Sequence, residues 1–189
     1  MSTSFKRAVS KGFTLIELLI VVIILAILAA IVIPQFSNST SDAKEATLDA
    51  NLAAMRSAIE QYKIQHGVYP GAVTAVGTCP TGATPGTGAI NTSQAVIDQL
   101  TMATNAAGVA CSVADATFRF GPYVRQAIPN EPINNIGSLP AGIVVSTAGT
   151  PLAPSVTTGG WAYDTKSGQI VMNSSATDSS KNSRVYSTH

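Results

Sequence analysis

From Phe13 to Ile33 the chain reads FTLIELLIVVIILAILAAIVI, and only Thr14 and Glu17 are polar. An α-helix rises 1.5 Å per residue, so this run makes a rod about 31 Å long, close to the thickness of a bilayer's hydrocarbon core. A helix that is apolar on every side has to be covered by lipid or by protein. The preceding residues, MSTSFKRAVSKG, carry Lys6, Arg7 and Lys11 and no acid. By the positive-inside rule they stay in the cytoplasm and the rest of the chain crosses the membrane. An ordinary secretory signal has an apolar region of about 7 to 15 residues followed by a small-x-small cleavage triplet. This run is longer, and no A-x-A triplet stands near its end. The expectation is a single-span protein with its bulk outside the cytoplasm.

The rest of the composition fits an appended domain. Hydrophobic residues make up 46% of the 189 residues and charged residues 11%, whereas a soluble domain carries roughly 25% charged residues. A formal net charge of +1 gives no basic field, which argues against a nucleic-acid partner. At 6% aromatic, the core has to be built mainly from Val, Ile, Leu and Ala.

The junction between leader and apolar run is specific in its details. Gly12 is followed by Phe13, and four residues later Glu17 places a carboxylate inside the membrane segment. A carboxylate at the membrane centre costs about 2.5 to 3.5 kcal/mol on insertion scales, so Glu17 needs a partner or a position near the headgroups. The stretch KGFTLIELLIVVIILAILAAIVIPQF, with its basic leader, resembles the N-terminal segment of the type IV pilin and pseudopilin superfamily. The resemblance covers the first 35 residues closely and the helix after them more loosely.

It implies several things. A prepilin peptidase cuts between Gly12 and Phe13 and methylates the new Phe13 amine. The Glu17 carboxylate meets the N-terminal amine of a neighbouring subunit during assembly and acts mainly on register, because an unpaired buried charge is far worse than a paired one. The partners are copies of the same chain in a filament, the peptidase, the inner-membrane pilus or secretion machinery and the membrane itself. Location is the inner membrane before assembly, then a periplasmic pseudopilus or a surface pilus. Cleavage removes three basic side chains and leaves eight against ten acidic ones, a balance of −2 in place of +1. The alternative is an unprocessed, monomeric, membrane-anchored binding protein.

Pro34 removes one helical hydrogen bond and disfavours helix at Ile33, so a kink or local melting is expected near Ile33 to Gln35. Ser39, Thr40 and Ser41 are candidate caps for a restart. From Asp42 to His66 there is neither Gly nor Pro, and Leu48, Leu52, Met55, Ile59, Tyr62 and His66 recur at spacings of 4, 3, 4, 3 and 4. That spacing is the packed stripe of an α-helix. Asp42, Glu45, Asp49, Arg56, Glu60 and Lys63 fall on one flank, and Ala43, Ala46, Ala50, Ala53 and Ala54 on much of the remaining face. The small side chains are expected to meet neighbouring subunits, although alanine is also simply the best helix former. Phe13 to His66 would make a nearly continuous helix of about 80 Å, with Gly67 as its C-cap.

Residues 67–117 read as a loop region with a short helix near Gln94 to Met102 and a small-residue loop from Ala103 to Ala116. Cys79 and Cys111 are the only cysteines; outside the cytoplasm they are expected to form a disulfide, which closes a long loop. Residues 118–173 read as an antiparallel β region: AGIVVST (Ala141 to Thr147) as a fully buried strand, and WAYDTKSGQIVM (Trp161 to Met172) as a hairpin turning at Asp164 to Gly168. Residues 174–189 read as a polar, frayed tail. The fold class is α+β, the type IV pilin fold: a long N-terminal helix, membrane-spanning in its first half and amphipathic in its second, packed on a small antiparallel sheet. In segments, this is leader 1–12, spanning helix 13–33, amphipathic helix 34–66, loop 67–117, sheet 118–173 and tail 174–189.

No enzyme motif stands out. Ser41 and Lys44 form a bare S-x-x-K, which a helix-start cap and a solvated lysine explain, and there is no G-x-S-x-G, H-E-x-x-H or Walker A sequence. His66 falls on the packed stripe and reads as a core-edge residue. No cofactor is expected. Resemblance to major pseudopilins raises calcium, which takes six to eight oxygens. Past Arg119 the only acids are Glu131, Asp164 and Asp178, and the acid-containing, glycine-rich stretch expected near the end is missing.

Overall fold

A computed structural model describes residues 12–137, 142–149, 151–154, 159–179 and 183–189. Two compact units are distinguished, Met1–Ser41 and Asp42–His189, and each is described by itself.

The first unit is the apolar half of α1 (Leu15–His66). Leu15–Ile33 is long and apolar enough to cross a membrane, with a mean hydropathy of 3.4, and none of it is buried within the chain. The backbone stays helical across Ile33 to Gln35, so the local melting expected at Pro34 is absent. Without a break there is no terminus to cap. Ser39 and Thr40 accordingly donate their hydroxyls to the carbonyls of Gln35 and Phe36 one turn back, at 3.0 and 2.9 Å, a back-bonding that helix interiors accept. The S-x-x-K pair likewise lies within the helix, not at its start.

In the second unit the stripe is where its spacing places it: Leu48, Leu52, Met55, Ile59 and Tyr62 are buried and His66 is half-buried. Gly67 ends the helix in the left-handed region, φ +73°, and its N–H donates to the Lys63 carbonyl at 2.8 Å. A short helix, α2 (Ser93–Thr101), is N-capped by Thr92, whose side chain accepts from the Ala95 N–H.

The region read as a small-residue loop contains a two-residue antiparallel ladder, β1 (Ala103–Thr104) with β2 (Ala110–Cys111). The main sheet has three strands: β3 (Ile143–Ser146), β4 (Trp161–Asp164) and β5 (Ile170–Met172). β4 and β5 form the expected antiparallel hairpin, pairing Trp161 with Met172 and Tyr163 with Ile170. β3, however, runs parallel to β4, Ile143 beside Trp161 and Ser146 beside Asp164, so the sheet is mixed. Parallel neighbours need a long connection, and residues 147–160 are long enough to supply it. β3 is also the outer strand: Ile143 is buried, Val144 exposed and the next two half-buried, which corrects the fully buried reading. β4, in the middle, is buried along its whole length. Trp161, Tyr163 and Met172 share one core with the α1 stripe and with Val96 and Leu100 of α2.

The stretch read as a frayed tail is docked in its described parts. Thr177 pairs with Val185, a 3-10 turn spans Tyr186–Thr188, and Tyr186 is buried. Two aromatic rings, Tyr186 and His189, anchor an otherwise polar sequence.

Candidate functional site

The candidate site is the start of α1. Gly12, Phe13 and Thr14 are not helical, and all three are exposed, Phe13 at 89%. The Gly12–Phe13 peptide bond therefore lies in an accessible, non-helical stretch just before the first turn. Nothing in the fold demands glycine at position 12: a Cβ there meets no atom within 4 Å, and its φ lies outside the left-handed region. A glycine without a conformational reason fits recognition by another protein.

Thr14 and Glu17 form a capping box. The Thr14 N–H and hydroxyl both donate to Glu17 Oε2, at 2.8 and 2.7 Å, and the Glu17 N–H donates back to Thr14 Oγ1 at 3.3 Å. This satisfies backbone donors that a helix start leaves orphaned and places a carboxylate at the positive end of the helix dipole. Sequence reasoning missed Thr14, although T-x-x-E before an apolar run is itself a helix-start signature. The box uses only one carboxylate oxygen. Among the described residues Oε1 has no hydrogen-bond partner, and Glu17 lines a shallow hollow with Phe13, Leu18 and Val21.

Further along, Ala43, Ala46, Ala50, Ala53 and Ala54 are all exposed, as a surface left for neighbouring molecules requires. The charged flank of α1 makes contacts with the rest of the second unit. Glu45 accepts from the Ser179 N–H and hydroxyl at 2.7 and 2.8 Å and from the Tyr186 hydroxyl at 3.1 Å, and Arg56 donates to the main-chain oxygens of Ile170 and His189 at 3.2 and 2.6 Å. Burial raises the pKa of Glu45, but these donors outweigh it and hold the carboxyl below its ordinary value.

Cys79 and Cys111 are joined, with Cα atoms 5.9 Å apart across 32 positions. The bond pins the uncharged 71–91 loop to β2. Two buried polar residues on α2, which sequence reasoning missed, pin it elsewhere. Asp98 accepts from the Thr87 and Gly88 N–H groups at 2.7 and 2.9 Å. Gln99 accepts from the Gly71 N–H at 2.7 Å and donates to the Val73 and Gly108 carbonyls.

Glu131 and Asp164 are fully buried, and each is occupied by donors of the chain. Glu131 accepts from the Asn134 N–H, the Asn134 side-chain amide and the Gly160 N–H. Asp164 accepts from the N–H groups of Gly149, Lys166 and Ser167 and from the Ser167 hydroxyl. Burial works to raise the Asp164 pKa, yet these hydrogen bonds leave it below the ordinary value. Asp164 thus acts as the organiser of the β4–β5 turn. His66 stacks on Tyr62 with ring centroids 4.0 Å apart, and its Nε2 lies 3.0 Å from both Tyr123 Oη and Thr104 Oγ1, the setting of a core-edge residue.

Residues 7–33 match the family described as the prokaryotic N-terminal methylation motif. The type II secretion system core protein G of Pseudomonas aeruginosa is 40% identical over 65 residues, 34% of this chain and 46% of that protein. The type IV narrow pilus major component PilA5 of Thermus thermophilus is 55% identical over 49 residues, 26% of this chain and 42% of that protein. A fimbrial protein of Neisseria meningitidis serogroup B is 38% identical over 71 residues, 38% and 42% of the two chains. The chain thus spans less than half the length of these curated relatives, and no solved structure matches it. The stretch that carries Gly12, Phe13 and Glu17 is thus similar to the N-terminal methylation segment, and the first part of the chain to type IV pilins and type II secretion core proteins G.

Proposed function

We propose that the chain is the structural subunit of a membrane-assembled filament, either a type IV pilus or a type II secretion pseudopilus. A prepilin peptidase cuts at Gly12–Phe13 and methylates the Phe13 amine, and the subunit waits in the inner membrane until the assembly machinery adds it to copies of itself. Its work is mechanical and uses no cofactor. The observation that carries the reading is the coincidence of the methylation motif over residues 7–33 with an exposed, non-helical Gly12–Phe13 step at the head of an uncovered apolar helix.

The physical logic is continuous. An apolar helix exposed on all sides is stable in lipid before assembly and against other such helices after it. Glu17 keeps Thr14 as an intramolecular partner in both states, which limits the cost of its charge in the membrane. Its open Oε1 is the atom offered to a neighbour's amine. Only a subunit in correct register satisfies it, so the contact selects register more than it adds affinity.

Electron microscopy of a deletion strain beside an assay of its secreted proteins tests the proposal. Loss of surface fibres assigns a pilus, and loss of secretion assigns a pseudopilus. A strain in which both are intact contradicts the filament reading.

A further inference from the structure

Where the apolar run of α1 ends, the helix carries a turn of a different character. Val32, Gln35, Phe36 and Ser39 line one hollow on its surface, and steps of three and four residues place them on one helix face. Phe36 is 71% exposed. The hydroxyls beside it are spent on the backbone, Ser39 on the Gln35 carbonyl and Thr40 on the Phe36 carbonyl. No Asp, Glu, Lys or Arg occurs from Leu18 to Ser41.

Depth follows from the helix rise. Leu15–Ile33 is long and apolar enough to cross a membrane. With Ile33 at the hydrocarbon edge and the helix along the membrane normal, Phe36 stands about 4.5 Å and Ser41 about 12 Å beyond that edge. The headgroup layer is roughly 5 to 8 Å deep on each side. The Phe36 ring therefore falls within that layer, and the chain traverses it without a charge. Phe13, 89% exposed, marks the other end of the span. The two aromatic positions are about 35 Å apart along the helix, slightly more than the roughly 30 Å hydrocarbon core. Aromatic rings at the ends of a span anchor it at the membrane surfaces. A hydroxyl that donates to its own backbone needs no water for that proton, so Ser39 and Thr40 suit a layer poor in water.

We propose that Phe36 is an interfacial anchor, with its ring at the boundary between acyl chains and headgroups of the outward-facing leaflet. Its partner is phospholipid. Continuity favours lipid over a second copy of the chain, because Val32 belongs both to the hollow and to the spanning stretch. The anchor fixes the depth at which the subunit waits before assembly, and it rests on that stage of the proposed function. Taking the subunit out of the bilayer draws this ring out of lipid.

Magic-angle-spinning NMR of the full chain, carrying isotope-labelled phenylalanine, in phosphatidylcholine vesicles tests the anchor. The Phe36 ring signals are those missing in Phe36→Leu, and Ile24→Phe supplies a reference ring in mid-span. Magnetisation transfer to the Phe36 ring should be at least about threefold stronger from lipid glycerol protons than from chain-end methyl protons, and the reference ring should show the reverse order. If the reference ring receives from chain ends while the Phe36 ring receives only from water or protein, or mainly from chain ends, the anchor is overturned and the span stands. Absence of lipid transfer to both rings overturns the span and the anchor together.

Discussion

At Glu17 one substitution separates the helix cap that the side chain forms from the assembly role proposed for it. Glu17→Gln keeps an oxygen for the Thr14 N–H and hydroxyl and so keeps the helix start, but removes the charge. Cleavage at Gly12 and membrane insertion should then be normal, while the yield of sheared filaments falls severalfold. A normal yield would show that the carboxylate acts only as a cap. His66 makes a pH prediction of defined sign. Burial lowers its pKa, and a main-chain contact with Ala106 opposes this without reversing it. Above the ordinary histidine value of about 6.5, folded and unfolded chains are both neutral at this site and the full stability is present. As pH falls below that value, the unfolded imidazole takes up a proton that the folded one resists, and stability declines until the folded pKa is passed. Thermal melts between pH 7 and about pH 5 should show a shallower decline in His66→Gln; an unchanged slope would remove His66 as the cause.

Among the elements, α1 was legible because its signals are periodic. The 4-3-4-3-4 spacing from Leu48 to His66 identified the buried face, and Gly67 identified the end. The hairpin was legible from Asp164 to Gly168 for a local reason, since a carboxylate that gathers its own turn's N–H groups needs no distant partner. What escaped depends on non-local pairing. An apolar strand such as β3 carries no mark of the direction in which its neighbour runs. The Ser-rich tail looks soluble by composition, because its docking rests on Tyr186, His189 and three charged residues 130 or more positions away in sequence. The Thr14 hydroxyl signals a cap only when the apolar run is read as a helix start and not just as a membrane span.

Replacing Cys79 and Cys111 by Ser frees a loop closed across 32 positions; the chain-entropy relation puts the loss at about 3 to 4 kcal/mol in denaturant unfolding, and a loss below about 1 kcal/mol would mean that Asp98 and Gln99 hold the loop unaided. Ala50→Arg or Ala53→Arg places a long cation on an exposed helix position. Monomer stability should change by no more than about 0.5 kcal/mol, while filament yield collapses. Loss of monomer folding would instead make the alanine face part of the subunit's own packing.

At the scale of the whole molecule, none of Leu15–Ile33 is buried among the described residues, and the core of the second unit is built from residues between Leu48 and Tyr186. The low charge and high apolar content trace largely to the 21 residues from Phe13 to Ile33, which on the proposed function lipid covers first and other copies cover later. The proposed maturation would change the charge sign and free the amine that the proposal assigns to Glu17 Oε1. The most direct measurement is the mass of the N-terminal peptide of the chain isolated from its native membrane. The account predicts a peptide beginning at Phe13 with one added methyl group on its amine, and a chain that still carries Met1 to Gly12 would contradict it.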